Sequence, residues 1–191
     1  MKNNTPLQFL VRTALLLAIA VLFQNLRLLI GTGLAATIVI GSLVNLTLFV
    51  AAGTVGWYGG TAVGLLTPVV AFLQGHLALP VLIPFVAAGN IVLVVAFALV
   101  ERGANTQGRL WTGVAVASVL KTIALYGLIV LLFVGVMLPG MGLPAEKAKA
   151  MTAALSLSFS WPQLVTALLG GAVAVPVLRA LRQALKLQKL A

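Results

Sequence analysis

Residues 110–138 read LWTGVAVASVLKTIALYGLIVLLFVGVML, an apolar run broken by a single charge, Lys121. A helix rises about 1.5 Å per residue, so about 20 apolar residues cross a hydrocarbon core of roughly 30 Å. The run is long enough to cross, and Lys121 falls about 16 Å along it, near mid-membrane. A cation there costs roughly 2.5–3.5 kcal/mol on insertion scales and usually faces a protein interior or a wet cavity. No acid lies nearby in sequence to neutralise it. Neighbouring helices, backbone carbonyls, water or a ligand must satisfy the ammonium, so a structural role and a pocket-lining role are both open.

The same reading extends outward along the chain. It predicts an all-α integral membrane protein with six transmembrane helices in one domain, residues 1–191, with spans near 9–30, 34–52, 54–74, 79–100, 110–138 and 161–179. Hydrophobic residues make up 62% of the chain and charged residues only 7%, against about 25% charged in a soluble domain. Alternating strand patterns are absent, which argues against a β-barrel. The first run, Phe9 to Ile30, is too long for an ordinary signal peptide and has no clear cleavage site, so it reads as a retained helix.

An even number of spans puts both termini on one side. On that side fall Lys2, Arg12, Arg102, Arg109, Arg179, Arg182, Lys186 and Lys189; on the other fall Arg27, Lys147 and Lys149. The excess of positive charge predicts cytoplasmic termini. Basic residues at the ends of apolar runs explain the net charge of +10 without nucleic acid.

Several polar residues sit where they could meet a solute. Ser118, Lys121, Thr122 and Tyr126 share one broad arc of the fifth span. Asn90 lies in the middle of the fourth, with an amide that suits either an interhelical hydrogen bond or a heterocycle. Asn45 in the second span offers the same two readings, with a packing contact the leading one. Ser160, Trp161, Pro162 and Gln163 open the sixth span, where Trp161 could anchor at the interface or stack on a ring and Gln163 could bond its edge. Gln74 and His76 lie in the loop after the third span. Arg27 suits a lipid headgroup or, failing that, the attraction of an anionic solute. Glu101 with Arg102 suits a surface position.

Most connections are short, but residues 139–160 form a longer outer segment. Pro139-Gly140-Met141-Gly142 signals a turn, and Pro144 precedes a helix-favouring Ala145–Met151. This segment reads as a surface connector or as a lid over an outward-facing cavity. Small residues recur at four-residue spacing: Gly56, Gly60 and Gly64; Ala167 and Gly171; Gly170 and Ala174; Ala14 and Ala18. Such stripes allow close helix approach.

With these features in order, the chain resembles the substrate-binding S components of energy-coupling factor (ECF) transporters, and looks like a bacterial branch of them. The resemblance rests on the size, the six spans and the early Ala14-x-x-x-Ala18. Gly56-Trp-Tyr-Gly-Gly60-Thr-Ala-Val-Gly64-Leu-Leu-Thr-Pro68 and Phe159-Ser-Trp-Pro-Gln-Leu-Val-Thr-Ala-Leu-Leu-Gly-Gly171 add to it. It implies a cell-membrane subunit that captures a water-soluble vitamin or precursor from outside. That subunit would associate with a transmembrane coupling subunit and two cytoplasmic ATPases, and topple to present its site inward. It further implies that Ala14 and Ala18 contact the coupling subunit, and that the ligand lies mostly among the later helices and outer loops. Pantothenate, hydroxymethylpyrimidine and a pyridoxine-like compound are the candidate substrates.

The residues also exclude functions. No phosphate-binding Gly-x-x-x-x-Gly-Lys-[Ser/Thr] loop is present, so ATP hydrolysis by that route falls to partners. The chain has no Asp and no Cys, one histidine and two acids, Glu101 and Glu146, both outside the predicted spans. An aspartyl or thiolate enzyme is therefore excluded, a metal site lacks ligands, and no cofactor is expected. The same shortage argues against proton coupling, leaving a stand-alone facilitator or secondary transporter as the alternative. The expected site comprises Lys121, Asn90, Tyr126, Trp161, Gln163, Ser118, Thr122, Gln74 and His76, favouring a neutral polar or anionic solute.

Overall fold

The computed structural model describes residues 5–101 and 107–187. Lys2, Arg102 and Lys189 lie outside the described residues, as does the side chain of Lys186. Every described element is a helix. They are α1 (Pro6–Asn25), a short turn α2 (Arg27–Ile30), α3 (Leu34–Thr54), α4 (Gly56–Leu73), α5 (Leu82–Glu101), α6 (Gln107–Leu125), α7 (Ala145–Ser158) and α8 (Trp161–Leu187). Beyond Leu125 the sixth helix continues with wider, π-type winding over Tyr126–Met137 and tightens at Leu138–Met141. Among the described residues, six helical runs are long and apolar enough to cross a membrane.

Local chemistry sets the element ends. Thr5 caps α1: its hydroxyl accepts from the Gln8 amide while the Gln8 side chain accepts from the Thr5 amide, each at 3.3 Å. Between α3 and α4 the chain turns at Val55 and Gly56, and Gly56 takes φ +87, a left-handed conformation that glycine adopts without steric cost. The segment after the fifth span holds more helix than Ala145–Met151. It runs to Ser158, and Pro144 sits at the N-cap position. Leu155 is buried there, packed with Leu82, Leu125, Ile129, Phe133 and Leu138 in an apolar cluster at one end of the bundle.

A larger cluster fills the other end, where Phe49 and Phe97 meet edge-on with centroids 5.0 Å apart among Leu48, Leu93, Val114 and Leu178. Lipid tails are as apolar as these side chains, so association here depends on close packing and on polar groups rather than on transfer from water. Glycine supplies the closeness. A Cβ at Gly170 of α8 would overlap the Ser42 carbonyl and come within 2.7 Å of the Leu46 nitrogen of α3. One at Gly89 of α5 would lie 2.5 Å from Leu125.

The Leu48–Phe97 end is tied electrostatically as well. Glu101 of α5, expected as a surface charge, pairs with Arg182 of α8, and Arg182 also donates to the Gly53 carbonyl of α3 at 3.3 Å. Both charges are largely buried. The sequence conceals the pairing because the partners are 81 residues apart.

Replacing Gly170 with alanine is expected to lower the thermal midpoint of the purified protein, with a cost of about 1–3 kcal/mol for overpacking. Gly108→Ala, where an added Cβ meets nothing within 4 Å, should leave the midpoint unchanged or slightly raised. Thermal unfolding in detergent checks both.

Candidate functional site

Lys121 is 4% exposed, and its ammonium donates to two side-chain carbonyls from facing helices: Asn45 Oδ1 at 2.6 Å and Asn90 Oδ1 at 2.9 Å. These contacts fix both amide orientations, because only oxygen can accept from an ammonium. Each amide then donates onward. Asn45 Nδ2 reaches Thr166 Oγ1 at 3.2 Å, and Thr166 donates to the Gln163 carbonyl at 3.0 Å. Asn90 Nδ2 lies 3.2 Å from both Thr67 Oγ1 and the Gly64 carbonyl. Gln24 of α1 completes the layer by donating to the Thr67 carbonyl at 3.1 Å. Every spanning helix thus contributes a group to one continuous polar layer centred on Lys121.

The backbone takes part through Pro68. Proline has no N–H, so the Gly64 carbonyl one turn earlier loses its intrahelical donor. The Asn90 amide supplies a replacement. Gly64 itself lets α5 come close enough, since a Cβ there would sit 3.2 Å from Asn90 Cβ.

The layer floors a cavity. Its wall includes Lys121, Asn90, Asn45, Thr67, Thr166 and Gln163, joined by Gln24, Arg27, Thr37 and His76, with Ile40, Val44, Pro68, Leu77 and Val86 as apolar lining. The cavity volume is about 160 Å³, roughly ten times what a single water needs. The cavity therefore has room for a small organic molecule. It is built from the C-terminal ends of α1 and α4 and the N-terminal ends of α3, α5 and α8, opposite the Glu101–Arg182 pair.

Four of the anticipated residues, Lys121, Asn90, Gln163 and His76, meet in this cavity. The others lie elsewhere. Ser118 is fully buried with its hydroxyl unpartnered, and Thr122 donates to the Ser118 carbonyl at 2.8 Å. Tyr126 and Trp161 turn outward, 42% and 51% exposed. Gln74 donates to Asn25 Oδ1 at 3.1 Å and pins the end of α4 to the end of α1. Polar company for Lys121 comes from facing helices rather than from its own arc, because its stem carries the ammonium across the interface.

Gln24, Thr37, Thr67 and Thr166 complete the wall without having been singled out, and Asn45 and Arg27 do more than pack or meet headgroups. The available signal was the amide side chains Gln24, Asn45 and Asn90 within apolar runs; the threonines carried none, since similar hydroxyls recur along the same spans. His76 lies outside the spanning helices, and burial, followed by the nearby Arg27 charge, holds its imidazole below the ordinary pKa of 6.5.

A helical membrane bundle with a polar-floored cavity at one end has the build of a solute-binding membrane subunit. A family model described as ECF transporter, substrate-specific component, matches residues 8–181. The chain belongs to that family: it is a multi-pass membrane protein, a transport subunit rather than an enzyme, that works with partner ECF components on a small-molecule substrate. No curated protein and no solved structure matches it.

Lys121→Met should weaken ligand affinity by at least about tenfold, the scale of one lost hydrogen bond to a charged group, while the protein stays folded in size-exclusion chromatography. Equal affinity for the two proteins would make Lys121 a purely structural cation. His76 should titrate below pH 6.5 in an NMR measurement, remaining neutral at pH 7.

Proposed function

We propose that this subunit captures a water-soluble vitamin or vitamin precursor in the cavity floored by Lys121. Pantothenate, hydroxymethylpyrimidine and a pyridoxine-like compound are the candidate classes. The observation that carries the reading is the convergence of Lys121, Asn90, Gln163 and His76, from three helices and one loop, on one cavity. Amide and ammonium groups there bind polar atoms reversibly, as uptake requires.

In this reading the cavity faces outward and the termini are cytoplasmic. Support comes from Arg12, Arg109, Arg179 and Arg182, which belong to the helix ends opposite the cavity. Segment 139–160 covers the cavity. Gln163 in the wall donates to the Ser158 carbonyl at 2.9 Å, coupling that wall to the last residue of α7. Ala14 and Ala18 lie exposed along α1 and dock the transmembrane coupling subunit; two partner ATPases drive inward release.

Mass spectrometry of the small molecule released from purified protein is expected to identify a compound of the vitamin or precursor class; its absence from protein that also binds none of them in solution would refute the reading. Substituting Ala14 and Ala18 together with leucine should abolish uptake in cells with the coupling module while leaving ligand affinity within about twofold, because surface changes away from a site are usually nearly neutral. Undiminished uptake would disprove the docking assignment.

A further inference from the structure

We propose that Arg27 anchors a carboxylate, and that the substrate is a small carboxylic acid bearing an O–H or N–H group that donates to Gln24. The proposal rests on the vitamin-capture reading and narrows its substrate class.

The cavity wall holds polar atoms that the protein leaves unmatched. Arg27 Nε is buried and has no hydrogen-bond partner. Gln24 is 7% exposed; its amide nitrogen is used on Thr67, but its Oε1 is buried and unpartnered. Lys121 uses two of three ammonium donors on Asn45 and Asn90. The wall thus offers an arginine edge, one ammonium proton and one amide acceptor.

Charge narrows the choice further. The wall contains two cationic side chains, Arg27 and Lys121, and no acid. The only acids in the chain are Glu101, paired with Arg182 at the opposite end, and Glu146, exposed on α7. No side chain can therefore neutralise Arg27 within the cavity. A guanidinium presents its Nε and Nη donors as a planar fork that matches the two oxygens of a carboxylate. A neutral acceptor could take the Nε–H bond but would leave the guanidinium charge without a counter-ion in the cavity. A phosphate, with three strong acceptor oxygens, asks for more donors than this edge and one ammonium proton supply. A hydroxyl or amide N–H on the same solute satisfies Gln24 Oε1, and its carbonyl or ether oxygen suits the remaining Lys121 proton.

Matched probes test this on the protein in detergent by equilibrium binding: pantothenate against panthenol and biotin against its primary amide, with hydroxymethylpyrimidine, pyridoxine and inorganic phosphate alongside. The expected result is that one acid binds about 100-fold more tightly than its neutral mate, as expected for loss of a charge-assisted bidentate contact. Arg27→Gln should reduce that preference to under about tenfold, with Arg27→Lys in between, since a lysine keeps the charge and loses the fork. Unchanged thermal unfolding of Arg27→Lys guards against a folding artefact. Preference for a neutral probe, for hydroxymethylpyrimidine or for pyridoxine, or an acid preference that survives Arg27→Gln, overturns the carboxylate anchor while leaving vitamin capture standing; binding of phosphate alone overturns both. If no probe binds and no small molecule is released from the purified protein, vitamin capture itself fails, and the anchor with it.

Discussion

A buried ammonium without an acid to pair with is the constraint on which this bundle depends. Lys121 can only donate, so its neighbours must accept, and the acceptors used are amide oxygens whose groups have donors of their own to place. Asn45 and Asn90 meet that demand, and their amide nitrogens pass it on to Thr166, Thr67 and the Gly64 carbonyl. Donation runs outward from one atom through a chain of uniform direction, an arrangement in which hydrogen bonds polarise and strengthen one another. The layer correlates the positions of all six spans because displacing any one leaves a polar atom of the layer without its hydrogen-bond partner.

Placement of the layer divides the molecule. On α5 and α6, residues of the larger apolar cluster lie on one side of Asn90 and Lys121, and residues of the smaller cluster lie on the other. The larger cluster and the Glu101–Arg182 pair hold one end shut. Toward the other end the helices enclose the cavity, whose polar floor is the same set of side chains that joins the helices. In the proposed reading, stability and recognition therefore draw on one group of residues. Gln24 Oε1, Arg27 Nε and one Lys121 proton stay unmatched there, while Asn45, Asn90, Thr67 and Thr166 are paired with one another or with backbone.

Much of this was legible from composition and span length. Six apolar runs, the importance of Lys121 and the helical bias after Pro144 all followed from residue type and spacing. Partner identity did not follow. Lys121 meets Asn45 and Asn90, which are 76 and 31 residues away, and nothing within one helix encodes which faces will oppose. The arc containing Ser118, Thr122 and Tyr126 was broad enough to straddle the boundary between interior and exterior, so Ser118 is buried while Tyr126 faces out. Trp161 and Gln163 are separated by a single intervening residue, yet one is on the surface and the other in the cavity wall. Arg27 was legible as a charge at a span end; only tertiary structure turns its Nε into the bundle.

Pro68 carries a consequence for how the chain enters the bilayer. A transmembrane helix is normally complete in itself, since each carbonyl finds its donor one turn along. In α4 the Gly64 carbonyl does not, and the Thr67 hydroxyl at 3.4 Å is a weak substitute. Its proper donor arrives only with Asn90, in the next span to be synthesised. The smallest fragment of this protein whose backbone is satisfied at that depth is therefore a helical hairpin, α4 with α5, and biogenesis of this region is a matter of pairs rather than of single helices.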